Sequence, residues 1–113
     1  MKEFQLKKQD IEYYYLDSGE APFLKWFSKL DMLSQQIVDR YIVRLASSEQ
    51  IKNVRSLKDG VFEVKIYHGS GLRVYFAYEG EKIIILLLGG DKGTQDRDIS
   101  KAKKYWREYA KKK

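Results

Sequence analysis

The hydrophobic period of this chain changes once, from 3.6 residues to 2, and that change divides it into a helical half and a sheet half. In the first half Phe23, Trp26, Phe27 and Leu30 recur at helical spacing behind Pro22, whose missing N–H costs nothing at the first position of a helix. Asp31 is placed to cap a second helix, on which Leu33, Ile37, Tyr41 and Leu45 stay close to one face while Asp39, Arg40 and Arg44 point elsewhere. The two helices are expected to pack as a hairpin. From Phe62 onward, Phe62, Val64 and Ile66 alternate with Glu63, Lys65 and Tyr67. Leu72, Val74, Phe76 and Tyr78 alternate with Arg73, Tyr75 and Ala77 after the turn His68-Gly69-Ser70-Gly71. Each of these strands is expected to have one apolar and one polar face.

Residues 82–88 are apolar on both faces, as an internal strand covered on both sides would be. Residues 10–16, rich in tyrosine, have strand composition, and residues 17–20 read as a turn. Residues 47–56 are polar and without period, which predicts a loop. Asp96 or Asp98 is expected to cap a last helix with Ile99, Ala102, Trp106 and Tyr109 inward and Arg97, Lys101, Lys104 and Lys111 mostly outward. The expectation is an α+β fold in the order βααβββα: a single domain over residues 1–113, its largely antiparallel sheet packed by a helical hairpin and a C-terminal helix.

The absence of cysteine excludes disulfides, thiol nucleophiles and thiolate-bound metals. One histidine and scattered carboxylates make no zinc site or calcium loop, so neither metal nor cofactor is expected. The longest apolar run is far short of the ~20 residues of a membrane helix, and Met1-Lys2-Glu3 opens no signal peptide. A cytoplasmic protein is expected. Net charge is +6, and its distribution is uneven: residues 1–90 hold 13 Lys and Arg against 12 Asp and Glu, residues 91–113 hold 9 against 4. A localised cationic end suits a phosphate-bearing partner, although a solvated helix with a lysine tail has the same composition.

On the shared face of the first two strands of the sheet half, Glu63, Lys65, Arg73 and Tyr75 come together. A guanidinium stays charged and binds two phosphate oxygens through its planar fork, which makes Arg73 the first choice for stabilising a phosphorane; a cross-strand ion pair with Glu63 is the structural alternative, and both roles are compatible. Lys65 suits a base whose proton the neighbouring guanidinium loosens, a phosphate ligand, or a structural cation. Glu63 is a plausible base and more often a charge partner in such a setting. Tyr75 either donates to or stacks on substrate, or packs, as a half-buried tyrosine usually does. His68, in the turn, either touches substrate or has no role. The run Gly89-Gly90-Asp91-Lys92-Gly93-Thr94 lacks the spacing and context of a phosphate loop, and no G-x-S-x-G elbow supports a serine hydrolase.

The segment Leu57-Lys58-Asp59-Gly60-Val61-Phe62-Glu63-Val64-Lys65-Ile66, then Gly71-Leu72-Arg73-Val74-Tyr75-Phe76, then Leu87-Leu88-Gly89-Gly90-Asp91-Lys92, Thr94-Gln95, Asp98-Ile99 and Ala102 resembles the phage-derived HigB-like toxins of the RelE/ParE superfamily, often labelled addiction-module killer proteins. The resemblance extends over nearly the whole chain, with Phe27 and Leu30 also in place. It implies a RelE-like fold and a metal-free endoribonuclease that cleaves messenger RNA, commonly on the ribosome. It also implies neutralisation by a co-expressed antitoxin, typically a helix-turn-helix protein like HigA. Arg73 matches the strand arginine of that family, whereas Lys65 stands where the family more often has arginine. Lys92 resembles its basic residue after the last strand, which contacts RNA or the leaving group; a loop lysine without a task is the alternative. Arg97, Lys101 and Lys104, with His68, are the expected RNA-binding positions. Two other functions stay open: gyrase inhibition in the manner of ParE, which has a similar fold without the catalytic set, and passive binding of RNA or the ribosome.

Overall fold

A computed structural model describes residues 8–47 and 51–112. The chain runs β1 (Asp10–Tyr13), α1 (Pro22–Ser28), α2 (Met32–Ala46), β2 (Val54–Ser56), β3 (Phe62–Ile66), β4 (Leu72–Glu79), β5 (Ile83–Asp91), one 3-10 turn (Lys92–Thr94) and α3 (Gln95–Lys111). The expected meander is present: β3 pairs antiparallel with β4, Val64 opposite Val74 and Lys65 opposite Arg73, and β4 pairs antiparallel with β5. β1 adds to the far side of β5 in parallel, and the sheet order is β1-β5-β4-β3-β2. The result is α+β, with a mixed five-stranded sheet and three helices.

Two expectations about strands need correction. The segment 47–56 is not all loop, because Val54–Ser56 pairs with β3 as β2. Its three residues show no alternation, and the strand exists because the outer edge of β3 offers unpaired backbone groups. Ser48, Glu49 and Gln50 of that expected loop, like Lys113 of the lysine tail, lie outside the described residues. The first strand ends at Tyr13 rather than at Leu16, where the chain leaves the sheet edge.

One face of the sheet packs α1 and α2. Phe23, Val38, Ile42 and Leu45 meet Val64, Val74, Phe76, Ile84 and Leu86 there. Burial of each such side chain contributes about 1.5–3 kcal/mol. Asp31 caps α2 as expected, its carboxylate accepting from the Ser34 N–H at 3.3 Å. The buried stripe is nevertheless Ser34, Val38, Ile42 and Leu45, while Leu33 is 55% exposed and Ile37 and Tyr41 only flank the core. Ser34 lies on the buried stripe with its hydroxyl held by Asp31 and His68, and apolar Val38 and Ile42 replace the predicted Ile37 and Tyr41 there.

The opposite face packs α3. Tyr75, Ala77, Ile85 and Leu87 lie beneath Ala102, Trp106 and Tyr109, so β5 is internal and covered on both sides, as its composition predicts. A register shift at Tyr75/Phe76 places Leu87 and Leu88 in the same core. After it, Gly89 faces Trp26 of α1 and Gly90 faces Asp98 of α3. The cap of this last helix also differs from expectation. Asp91, not Asp96 or Asp98, accepts from the Gly93 and Thr94 N–H groups and starts the 3-10 turn that leads into α3. Asp96 and Asp98 lie in the first turn of α3, where their charge suits the helix dipole.

Candidate active site

Lys65 stands opposite Arg73 across β3 and β4, and Arg73 stands opposite Gly90 across β4 and β5. Like charges opposed across an antiparallel pair are destabilising. Lys92 follows two residues after Gly90. These three cations line one concavity of about 360 Å³, with Tyr67, His68 and the glycines of the β3–β4 turn. Gly71 closes that turn at φ +93°, a backbone conformation that leaves a Cβ-free flank 3.7 Å from Arg73 Nη1.

The face expected to be polar and open is covered at its centre by α3. Glu63 is 3% exposed, Arg73 5%, and Tyr75 fully buried. The Glu63 carboxylate lies 3.6 Å from Arg73 Nε. It accepts from Arg55 Nε at 2.9 Å through Oε1 and from the Gln95 amide at 2.9 Å through Oε2. Two donors and the Arg73 guanidinium surround this carboxylate, an arrangement that favours a charge partner over a base. Arg73 Nε and Nη1 are buried and donate no hydrogen bond. A guanidinium so buried beside a carboxylate is fixed in place. The hydroxyl of Tyr75 is likewise buried without a partner. Burial, followed by the charges of Glu63 and Asp98, holds its pKa far above the ordinary tyrosine value.

His68 lines the concavity, yet its Nε2 lies 3.0 Å from Ser34 Oγ, and Ser34 Oγ donates to Asp31 Oδ1 at 2.5 Å. Ser, His and Asp do meet here. The carboxylate binds the serine and caps α2 rather than orienting the imidazole, so the trio ties the β3–β4 turn to α2 and does not form a nucleophilic triad. The two glycines before Asp91 admit close neighbours from α1 and α3. A Cβ on Gly89 would lie 2.1 Å from the Trp26 ring, and one on Gly90 would lie 1.9 Å from Asp98 Oδ2. The space is filled by the protein itself.

Arg97 and Lys101 are apart from this concavity and line a groove between α1 and α3. Lys104 is exposed farther along α3. Three residues that sequence reasoning did not single out belong to the site. Tyr67, exposed on the rim, lies with its ring centroid 4.9 Å from Lys65 Nζ. Its position in the alternation beside Lys65 was the available signal. Arg55 sits on the unforeseen strand β2, and Gln95 comes from α3, so no local pattern announced either. Among the described residues, no group of His, Asp and Glu is arranged to hold a metal, and no helix is long and apolar enough to cross a membrane.

The model of the phage-derived Gp49-like protein family (DUF891) matches residues 25–109, a span that contains every candidate site residue. A protein of Haemophilus influenzae (strain ATCC 51907 / DSM 11121 / KW20 / Rd), described as uncharacterized, is 38% identical to the chain over 81 residues; these cover 72% of this chain and 82% of that protein. By the extent of that match the chain belongs to the phage-derived Gp49-like family, a HigB/RelE-like family of toxins for which an antitoxin partner is the general rule.

Proposed function

We propose that this protein is the toxin of a toxin–antitoxin pair and cleaves messenger RNA, on the ribosome, by attack of the ribose 2′-hydroxyl on the adjacent phosphorus. The observation that supports this most is the convergence of Lys65, Arg73 and Lys92 on one concavity, with Arg73 held beside the Glu63 carboxylate. In the reaction the bond from O2′ to phosphorus forms and the bond from phosphorus to O5′ breaks. The 2′-hydroxyl loses its proton, and the leaving oxygen gains one. Arg73 cannot exchange protons, so its role is to offset charge on the phosphorane, a contribution of about 10²- to 10³-fold for one such donor. Lys65 and Lys92, flanking it, are the groups able to exchange protons with the nucleophile and the leaving oxygen, each typically ~10²- to 10⁴-fold. Such factors act only on RNA held in line, which is what the ribosome supplies in this reading. Tyr67 on the rim offers a ring for a base, while Arg97, Lys101 and Lys104 supply attraction to RNA. The antitoxin is a helix-turn-helix protein like HigA, and the cytoplasm is where the toxin meets its substrate.

The test is to add the purified protein to a translating extract and map the ends of the messenger. New 2′,3′-cyclic phosphates paired with 5′-hydroxyl ends are the expected result. Intact messenger together with loss of DNA supercoiling by gyrase would replace this reading with gyrase inhibition. Binding to ribosomes with neither effect would reduce the protein to a passive module.

A further inference from the structure

The candidate site accounts for only part of the cationic surface. Between α1 and α3 lies a groove of about 380 Å³. Lys25 on α1 and Lys29 at its C-terminal cap line it together with Arg97 and Lys101, one turn apart on α3. All four are exposed. Lys25 is 3.6 Å from Glu20 and Arg97 3.9 Å from Asp98, exposed pairs that are worth little, and Lys29 and Lys101 form no ion pair among the described residues. The half-buried rings of Trp26 and Tyr105 line the same groove. A third concavity, about 410 Å³ around the 3-10 turn, has Lys92 in common with the candidate site and Arg97 in common with the groove, and Asp96 lines it as well.

We propose that the α1–α3 groove is a second binding site for the RNA strand that enters the candidate site, reached by way of Lys92 and Arg97. The inference rests on the ribonuclease reading for the identity of the strand. Four cations against the carboxylates of Glu20, Asp91 and Asp98 line the groove, an excess that suits the phosphates of a single strand, and the aromatic rings beside them suit unstacked bases. An acidic protein segment would satisfy the four cations of the groove, but it would have no use for the lining that the groove shares, through Arg97 and Lys92, with the approach to the candidate site.

The test compares two 2′-O-methyl RNA probes, which lack the attacking hydroxyl: a dinucleotide and an oligomer of about twelve nucleotides, a length usual for single-strand sites. Fluorescence anisotropy is followed as a function of salt. The wild type should bind the oligomer more tightly than the dinucleotide. Lys25→Gln with Lys29→Gln should weaken oligomer binding about tenfold and lower its salt slope by about 1.4, at ~0.7 for each phosphate no longer neutralised. Dinucleotide binding should not change, and Lys82→Gln, at the opposite end of β5, should alter neither probe. Oligomer binding unaffected by the double substitution would overturn the proposal. So would an oligoglutamate peptide that loses affinity in the double variant while the oligomer does not, which would assign the groove to an acidic protein. Messenger cleavage without length-dependent binding would remove the groove and leave the nuclease; length-dependent binding lost in the double variant, without cleavage, would keep the groove as an RNA site and remove the nuclease.

Discussion

Arg73 and Glu63 are each at least nine-tenths buried, 3.6 Å apart, and drawn from neighbouring strands. Removing one member of such a pair leaves the other charged and desolvated, at a cost of about 3–5 kcal/mol. Glu63→Ala should therefore lower the unfolding free energy by roughly that amount in urea. A Glu63 whose task were only to accept a proton would instead lose activity with its stability unchanged. Arg73 shows where the sequence is legible and where it is not. Its alternation in β4 correctly places it on the face shared with Lys65, because period 2 fixes the face of every residue. That it is buried could not be read, since α3 covers this face and α3 lies more than twenty residues downstream.

At the scale of elements, helix placement depends on two glycines and one cap. α1 and α3 approach β5 from opposite sides at Gly89 and Gly90, where Trp26 and Asp98 occupy the missing side chains. Gly90→Ala should destabilise by about 1–3 kcal/mol, as overpacking does, and chemical denaturation would show it. At the start of α2, hydrogen bonds from Ser34 lower the pKa of Asp31. A carboxylate so depressed contributes stability above its unfolded pKa and loses it as pH falls through the folded value. The gap in melting temperature between the wild type and Asp31→Ala should thus be fully open at neutral pH and close in acid, as thermal melts over a pH series would report. The helices and the meander were legible because long periodic segments dominate their own environment. β2 was not, because a three-residue polar strand is made by its partner rather than by its own pattern.

For the molecule as a whole, two buried tyrosines on the α3 side set an alkaline limit. Burial, then a hydrogen bond to and the charge of Glu108, push Tyr14 from 10.0 up to about 12, and Tyr75 is raised as well. Stability from these groups is complete below the unfolded tyrosine value and is lost as pH rises past it. The melting temperature should fall steeply above pH 10, the unshifted value for tyrosine, and less steeply in Tyr14→Phe. The cationic end of the chain was legible as an excess of lysine and arginine, but its division between the candidate site and a groove was not, because Lys25 and Lys29 enter from the first half of the sequence. The account as a whole stands on the guanidinium of Arg73, and Arg73→Lys isolates it by keeping a positive charge beside Glu63 while removing the planar fork. Single-turnover cleavage of ribosome-bound messenger by this variant, with its fold verified by thermal melting, should be slower by about 10²- to 10³-fold. Cleavage at the wild-type rate would contradict the central role assigned to that residue.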